Sequence, residues 1–209
     1  MKNKGIIIFL IIFMSIMAIS ITCLLCLLLK GNLRIGDFRF FQTESYEKIV
    51  DTSYEIRDEI TIKSDASDVV IKKQEDQEIG LVVYGENERL KIFDDTNFTV
   101  DYQGKKCIGI CFGDYSSRIE LSLPSDFAGR ITVENKYGAI KIDNFENANI
   151  TSTLGFGDTT IKGGKKITVK SSAGDVEIGN VSVVNVENHF GDIEIDSIME
   201  SLEITADCG

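Results

Sequence analysis

The chain has 209 residues, enough for one hydrophobic segment and one domain of ordinary size. Residues 1–36 hold four of the 22 basic side chains and none of the 33 acidic ones, so residues 37–209 carry a net charge of −15. A domain this acidic repels phosphate backbones and anionic lipid surfaces, which argues against nucleic acid and direct bilayer contact as its partners. The acidic residues are interpreted first as a solvated surface that keeps the domain soluble, and basic ligands and divalent cations are the alternatives.

The first predicted element is a transmembrane helix at residues 6–29. This run of 24 residues contains no charged side chain, and at about 1.5 Å per residue it can span a hydrocarbon core of about 30 Å. A cleaved signal peptide is the alternative, but its apolar run is shorter, about 7 to 15 residues, and ends at small residues. Cys23 and Cys26 follow Thr22 and Leu25, whereas a lipid-bearing cysteine follows a small residue, so both cysteines are interpreted as packing residues.

Charges on the two sides of this helix predict its orientation. Two lysines and the amino terminus precede it, and Lys30 and Arg34 follow it, which gives a weak positive-inside bias. We therefore expect residues 1–5 to be cytoplasmic, residues 30–55 to form a juxtamembrane linker, and residues 56–209 to form an extracellular domain.

Strands are predicted almost throughout this domain. β-branched residues are frequent, the whole chain has one proline, and no long segment has 3.6-residue periodicity. Alternating apolar residues begin at Ile60 and continue to Ile71 around a serine-aspartate pair. Further strands in looser register are predicted at residues 79–93, 97–102 and 118–127.

Glycine then recurs every 17 to 19 residues, at positions 138, 157, 174, 191 and 209. Seven residues before these glycines lie Ile131, Ile150, Ile167, Val184 and Leu202. Two residues after the first four lie Ile140, Thr159, Val176 and Ile193. Immediately before the five glycines lie Tyr137, Phe156, Ala173, Phe190 and Cys208.

Apolar residues occupy odd offsets before each glycine and even offsets after it, so the chain must bend between two strands. Glycine tolerates positive φ, and aspartate hydrogen-bonds nearby backbone N–H groups, so a Gly-Asp pair suits a tight corner. The candidate corner residues are Gly138, Gly157, Asp158, Gly174, Asp175, Gly191 and Asp192.

Stacking of these units predicts an all-β fold, a β-solenoid that resembles a parallel β-helix with coils of 17 to 19 residues. An antiparallel meander or sandwich with a two-strand unit of similar length is the alternative. Cys208 and Gly209 fall in the corner columns of a coil whose second strand is missing. We expect either that the protein continues or that another element covers this edge.

The order of short motifs carries a family resemblance. After the N-terminal hydrophobic segment come IxIxSDASDVVIK, IELSLPSDFAGRITVEN, and then GAIKI, GDTTI, GDVEI and GDIEI. Over residues 56–209 this resembles the bacterial family named putative adhesin, a domain of unknown function, and it is similar to membrane-anchored Lia-type envelope-stress accessory proteins. The resemblance implies an exported, surface-facing repeat domain, and it implies no catalytic residue, cofactor or named ligand.

Residues that could carry chemistry are few. His189 is the only histidine, and a corner or surface role is expected for it, since no Ser-His-Asp or G-x-S-x-G pattern accompanies it. Asp158, Asp175 and Asp192 could form a row of carboxylates that cleaves polysaccharide or binds calcium. However, adjacent coils lie about 4.8 Å apart, closer than glycosidase carboxylates, and the calcium-binding nonapeptide is absent.

The cysteines outside the hydrophobic segment, Cys107, Cys111 and Cys208, indicate neither a disulfide framework nor a zinc site. No catalytic residue, cofactor or metal is therefore predicted. The sequence favours a membrane-anchored surface module, adhesin-like or structural, that binds an unidentified envelope or surface protein or polymer. A regulatory accessory protein of an envelope-stress response and a polysaccharide-active enzyme are the alternatives.

Overall fold

The computed structural model describes residues 47–103 and 117–208. They form the strands β1 (Lys48–Glu55), β2 (Glu59–Ser64), β3 (Ser67–Gln74), β4 (Glu78–Tyr84), β5 (Leu90–Asp94), β6 (Phe98–Tyr102), β7 (Ser117–Pro124), β8 (Arg130–Tyr137), β9 (Ile140–Ile142), β10 (Phe145–Phe156), β11 (Thr159–Ala173), β12 (Val176–Phe190) and β13 (Ile193–Cys208). A single 3-10 turn, Asn87–Arg89, interrupts these strands in the described part. The prediction of an all-β domain is confirmed.

The predicted transmembrane helix at residues 6–29 lies outside the described residues. Within residues 47–103 and 117–208, no helix has the length and apolar character needed to cross a membrane.

The glycine-spaced units stack as parallel coils, each with a strand before the corner and a strand after it. The pre-corner strands pair in parallel from β2 to β8 and β10, and then through the second halves of β11, β12 and β13. The post-corner strands pair in parallel from β3 to β9, and then through the first halves of β11, β12 and β13. The predicted columns are confirmed, and antiparallel pairing of the repeats is wrong.

Columns of aliphatic side chains fill the space between the two series of strands. Ile60 pairs in register with Ile131, and Ile131 with Ile150, and all three side chains are buried. Val69 pairs with Ile140 on the other series, where both are also buried. Burial of each such side chain stabilises the fold by about 1.5–3 kcal/mol, so a continuous core forms from units too small to bury one alone.

The order of the coils differs from their order along the chain. β6 pairs in parallel with β2, and β7 pairs in parallel with β3. The coil made from these later strands therefore lies on one side of the β2–β3 coil, while β8 and β9 lie on its other side. The first coil in the sequence thus becomes an internal one, which explains why the strands at 97–102 and 118–127 fit the repeat only loosely.

Residues 78–94 depart from the predicted solenoid. β4 runs antiparallel to β7, β1 runs antiparallel to β4, and β5 runs antiparallel to β6. A parallel strand needs a crossover of about a dozen residues, but only residues 75–77 connect β3 to β4 and only residues 95–97 connect β5 to β6. The chain therefore folds back at these points and covers one end of the stack with antiparallel strands.

At the other end, β13 has one strand neighbour among the described residues, β12. Leu202 and Ile204 are 50% and 44% exposed, although Val184 and Val186, their neighbours in β12, are buried. The apolar columns thus continue into β13, but they are covered there from one side.

Ile178→Ala and Ile195→Ala remove the same side-chain atoms from neighbouring coils. Together they compare a coil that is covered on both sides with the end coil, which is covered on one side. Ile178 and Ile195 pair in register, but Ile178 is 2% exposed and Ile195 is half-buried. We expect Ile178→Ala to lower the free energy of unfolding by about 2–5 kcal/mol, and Ile195→Ala by less than about half as much. Chemical denaturation followed by circular dichroism measures both, and equal losses would contradict the assigned packing.

Candidate functional site

Four glycines form the corners of the stack. Gly138, Gly157, Gly174 and Gly191 have φ values between +117° and +134°, which L-residues with side chains rarely adopt. A Cβ atom at Gly174 would also collide with the carbonyl oxygen of Gly157 one coil earlier. Ser67, at the matching position of the β2–β3 coil, has no positive φ. Glycine is therefore needed at the later corners for both conformation and space.

Three aspartates at the corners, Asp68, Asp158 and Asp175, connect one coil to the next, and alanine replaces the aspartate after Gly138. Asp158 Oδ1 accepts a hydrogen bond from the Asp175 N–H at 3.1 Å, and Asp175 Oδ1 accepts one from the Asp192 N–H at 3.0 Å. Asp68 Oδ1 accepts the Ala139 N–H in the same way, at 2.9 Å. Each carboxylate thus pairs with a backbone donor. In the described residues, no group of three or more His, Cys, Asp or Glu side chains is placed to hold a metal ion.

Two asparagines that the repeat pattern did not indicate contribute to the corners. Asn135 Nδ2 donates to the Ser67 carbonyl at 2.7 Å, and Asn188 Nδ2 donates to the Gly174 and Gly191 carbonyls at 3.1 and 3.2 Å. Both side chains are buried and lie three residues before a corner glycine. The sequence did contain an indication of this role, because each asparagine is a polar residue at a position that the alternation assigns to the core.

Aromatic side chains project from the same edge. Tyr137, Phe156 and Phe190 are 55%, 54% and 58% exposed, and we call these three residues the aromatic edge. The rings of Tyr137 and Phe156 stack with centroids 5.4 Å apart and planes 8° apart. These residues occupy an odd offset before the glycine, which the alternation assigns to the core. They point outward because the strand ends at the corner and its last side chain projects beyond the packed columns.

Charged groups surround the last part of the aromatic edge. His189 Nδ1 hydrogen-bonds Asp207 Oδ2 at 2.5 Å, and its ring is 44% exposed, as expected for a surface residue. Lys170 Nζ lies 2.9 Å from Glu187 Oε2, and this hydrogen bond holds the pKa of the Glu187 carboxyl below its ordinary value. Residues 171–208 contain nine Asp and Glu residues and no Lys or Arg, so this region is strongly acidic.

Comparison with protein families shows a match to the family Toastrack DUF4097 over residues 57–209. The match covers the predicted repeat domain and begins close to β2. A comparison with curated proteins finds no match.

The solved structures that match this chain share little sequence with it. A "putative cell adhesion protein" from Clostridium sporogenes is 13% identical, with a TM-score of 0.48 over 72% of this chain and 100% of the other. A "putative adhesin" from Bacteroides fragilis is 11% identical, with a TM-score of 0.33 over 75% and 96%. A "putative lipid binding protein" from Parabacteroides distasonis is 14% identical, with a TM-score of 0.27 over 78% and 97%.

Gly174→Ala tests the corner geometry. The substitution places a Cβ at positive φ against the Gly157 carbonyl, so we expect the free energy of unfolding to fall by about 1–3 kcal/mol or more. Ser172→Ala is the matched control, because Ser172 is exposed two residues away and its loss should change stability by less than about 0.5 kcal/mol. Thermal and urea unfolding measure both variants. A Gly174→Ala protein as stable as the control would rule out the assigned corner.

Asp175→Ala and Asp175→Asn test the connection between coils. Alanine removes the acceptor of the Asp192 N–H, and we expect a loss of about 0.5–1.5 kcal/mol in unfolding free energy. Asparagine keeps an oxygen acceptor and removes a charge from a column of aspartates, so its stability should match or exceed that of the wild type. Urea denaturation compares them, and an equal loss in both variants would show that the charge matters rather than the hydrogen bond.

Proposed function

The chain belongs to the Toastrack DUF4097 family, and from that premise we propose that it is a membrane-anchored, extracytoplasmic binding module. Its working surface is the aromatic edge, and its partner is a protein or polymer of the cell envelope. In this proposal the domain acts by binding, as an adhesin-like structural element, and not as an enzyme.

The exposure of the aromatic edge carries the proposal. Three large rings that are each more than half exposed leave apolar surface in water, where its burial by a partner is favourable by about 25 cal/mol per Å². Aromatic side chains are the residues that most often supply binding energy at interfaces. The parallel stack holds the backbone positions of these rings at fixed intervals along one edge. The loss of conformational entropy on binding is therefore small.

The proposed location rests on the sequence. Residues 6–29 are long and apolar enough for a membrane anchor, and the family resemblance implies an exported domain. The acidic character of residues 37–209 fits a domain that stays clear of the anionic bilayer surface. The accessory and enzymatic alternatives have no specific feature in their favour among residues 47–103 and 117–208.

Binding can be tested with the full chain reconstituted into fluorescent vesicles that are offered intact bacterial cells and purified wall sacculi. We expect retention of wild-type vesicles, and a loss of at least about tenfold when Tyr137, Phe156 and Phe190 are all changed to Ser, because an interface aromatic typically contributes 1 kcal/mol or more. Unfolding curves of both proteins show whether the domain remains folded.

The matched control combines Lys141→Ser, Thr160→Ser and Glu177→Ser. These residues form a column in register on the post-corner strands, and the triple change leaves the net charge unaltered. Equal retention of wild type and aromatic variant, or no retention above protein-free vesicles, would disprove the binding role. An antibody against the domain that labels protoplasts only after permeabilisation would disprove the extracytoplasmic location.

A further inference from the structure

The aromatic edge contains one position where a ring is missing between two rings. Ala173 pairs in register with Phe156, and the adjacent Gly174 N–H donates to the Phe190 carbonyl at 2.9 Å. Ala173 therefore lies between Phe156 on one coil and Phe190 on another, and we call the space over its methyl group the Ala173 gap. Two strand spacings, about 9.6 Å, separate the backbone positions that carry the flanking rings.

This spacing fits one flat group. A planar group halfway across the Ala173 gap would lie about 4.8 Å from each ring, within the roughly 6 Å at which a cation is attracted to a ring face. The Tyr137 and Phe156 rings already stack with centroids 5.4 Å apart, so this edge of the stack accommodates planar groups at such a separation.

The charge around the gap selects a cation. Asp158 lies on the coil before Ala173, Asp175 on the same coil and Asp192 on the coil after it, and all three are exposed. Asp158 and Asp175 each use Oδ1 for a backbone N–H. Residues 171–208 supply nine acidic side chains and no Lys or Arg. Guanidinium is both planar and positively charged, whereas the lysine ammonium is a compact point charge that does not stack.

We propose that the Ala173 gap binds the guanidinium group of an arginine presented by a partner protein. The side chain would lie between Phe156 and Phe190, with the acidic surface of the C-terminal coils around it. This inference rests on the proposed function, because it places one defined contact of the partner on the aromatic edge.

The test uses the full chain in nanodiscs, labelled with ¹³C at alanine methyl groups, and three peptides of the form acetyl-Gly-X-Gly-amide. X is arginine, lysine or citrulline, so that planarity and charge are varied separately. We expect the arginine peptide to shift the Ala173 methyl resonance and to bind at least about fivefold more tightly than either of the others. Because a ring current acts on protons over its face, the bound arginine side chain should also shift upfield.

Variants of the gap provide the controls. Ala173→Phe should fill the gap and abolish binding of the arginine peptide, while Ala173→Ser should leave it unchanged. Phe190→Leu removes one ring without filling the gap and should weaken binding about threefold or more, which keeps the test decisive if Ala173→Phe does not fold. Lys141→Ser, away from the edge, should have no effect.

Several outcomes would overturn the inference. Equal binding of the lysine peptide would show attraction by charge alone, and equal binding of the citrulline peptide would show stacking without charge. Tighter binding of acetyl-Gly-Tyr-Gly-amide would assign the gap to an aromatic side chain. If vesicles are retained through the aromatic edge but no arginine peptide binds, the gap inference fails and the proposed function stands. If the arginine peptide binds but vesicles are not retained, the gap inference stands and the proposed function fails.

Discussion

Successive corners approach so closely that the α-carbon of one glycine lies against the carbonyl oxygen of the glycine one coil earlier. This contact fixes the register of the stack, because a coil shifted by one residue would bring a side chain to the point where only hydrogen fits. The aliphatic columns, the aspartate column and the aromatic edge all depend on that register. In the β2–β3 coil, where Ser67 replaces the corner glycine, the parallel strand pairing and the aliphatic columns hold the same register.

The same contact explains how the corner hydrogen bonds are satisfied. Positive φ at glycine turns the backbone so that the next N–H points along the stack, where the aspartate of the preceding coil accepts it. The buried asparagines serve the corner acceptors, since Asn188 donates to the half-buried carbonyls of Gly174 and Gly191. At these two corners, an exposed aspartate accepts from the backbone N–H and a buried asparagine donates to the backbone carbonyls.

The glycine-spaced coils could be predicted from the sequence because equivalent residues recur in it at a nearly constant spacing. Ile131 and Ile150 repeat at the corner spacing, and the change of phase at each glycine shows the bend. The coil order could not be predicted, since β6 and β7 lack corner glycines and join the β2–β3 coil only through long-range pairing. The exposure of Phe156 could not be predicted either. Inward and outward side chains alternate along a continuous strand, but this alternation does not hold for the residue at the end of the strand.

The aromatic edge is better explained by contact with a partner than by stability alone. An aromatic pair stabilises a protein by about 0.5–1.5 kcal/mol beyond the area it buries, so a ring at position 173 would stack against both Phe156 and Phe190 and strengthen the stack. The chain has alanine there, which is half-buried and has a coil on either side. Nothing in the local backbone requires a small residue, because tyrosine and phenylalanine occupy the same position in neighbouring coils. The missing ring leaves an opening between two exposed aromatic side chains, and a flat group from another molecule could enter this opening.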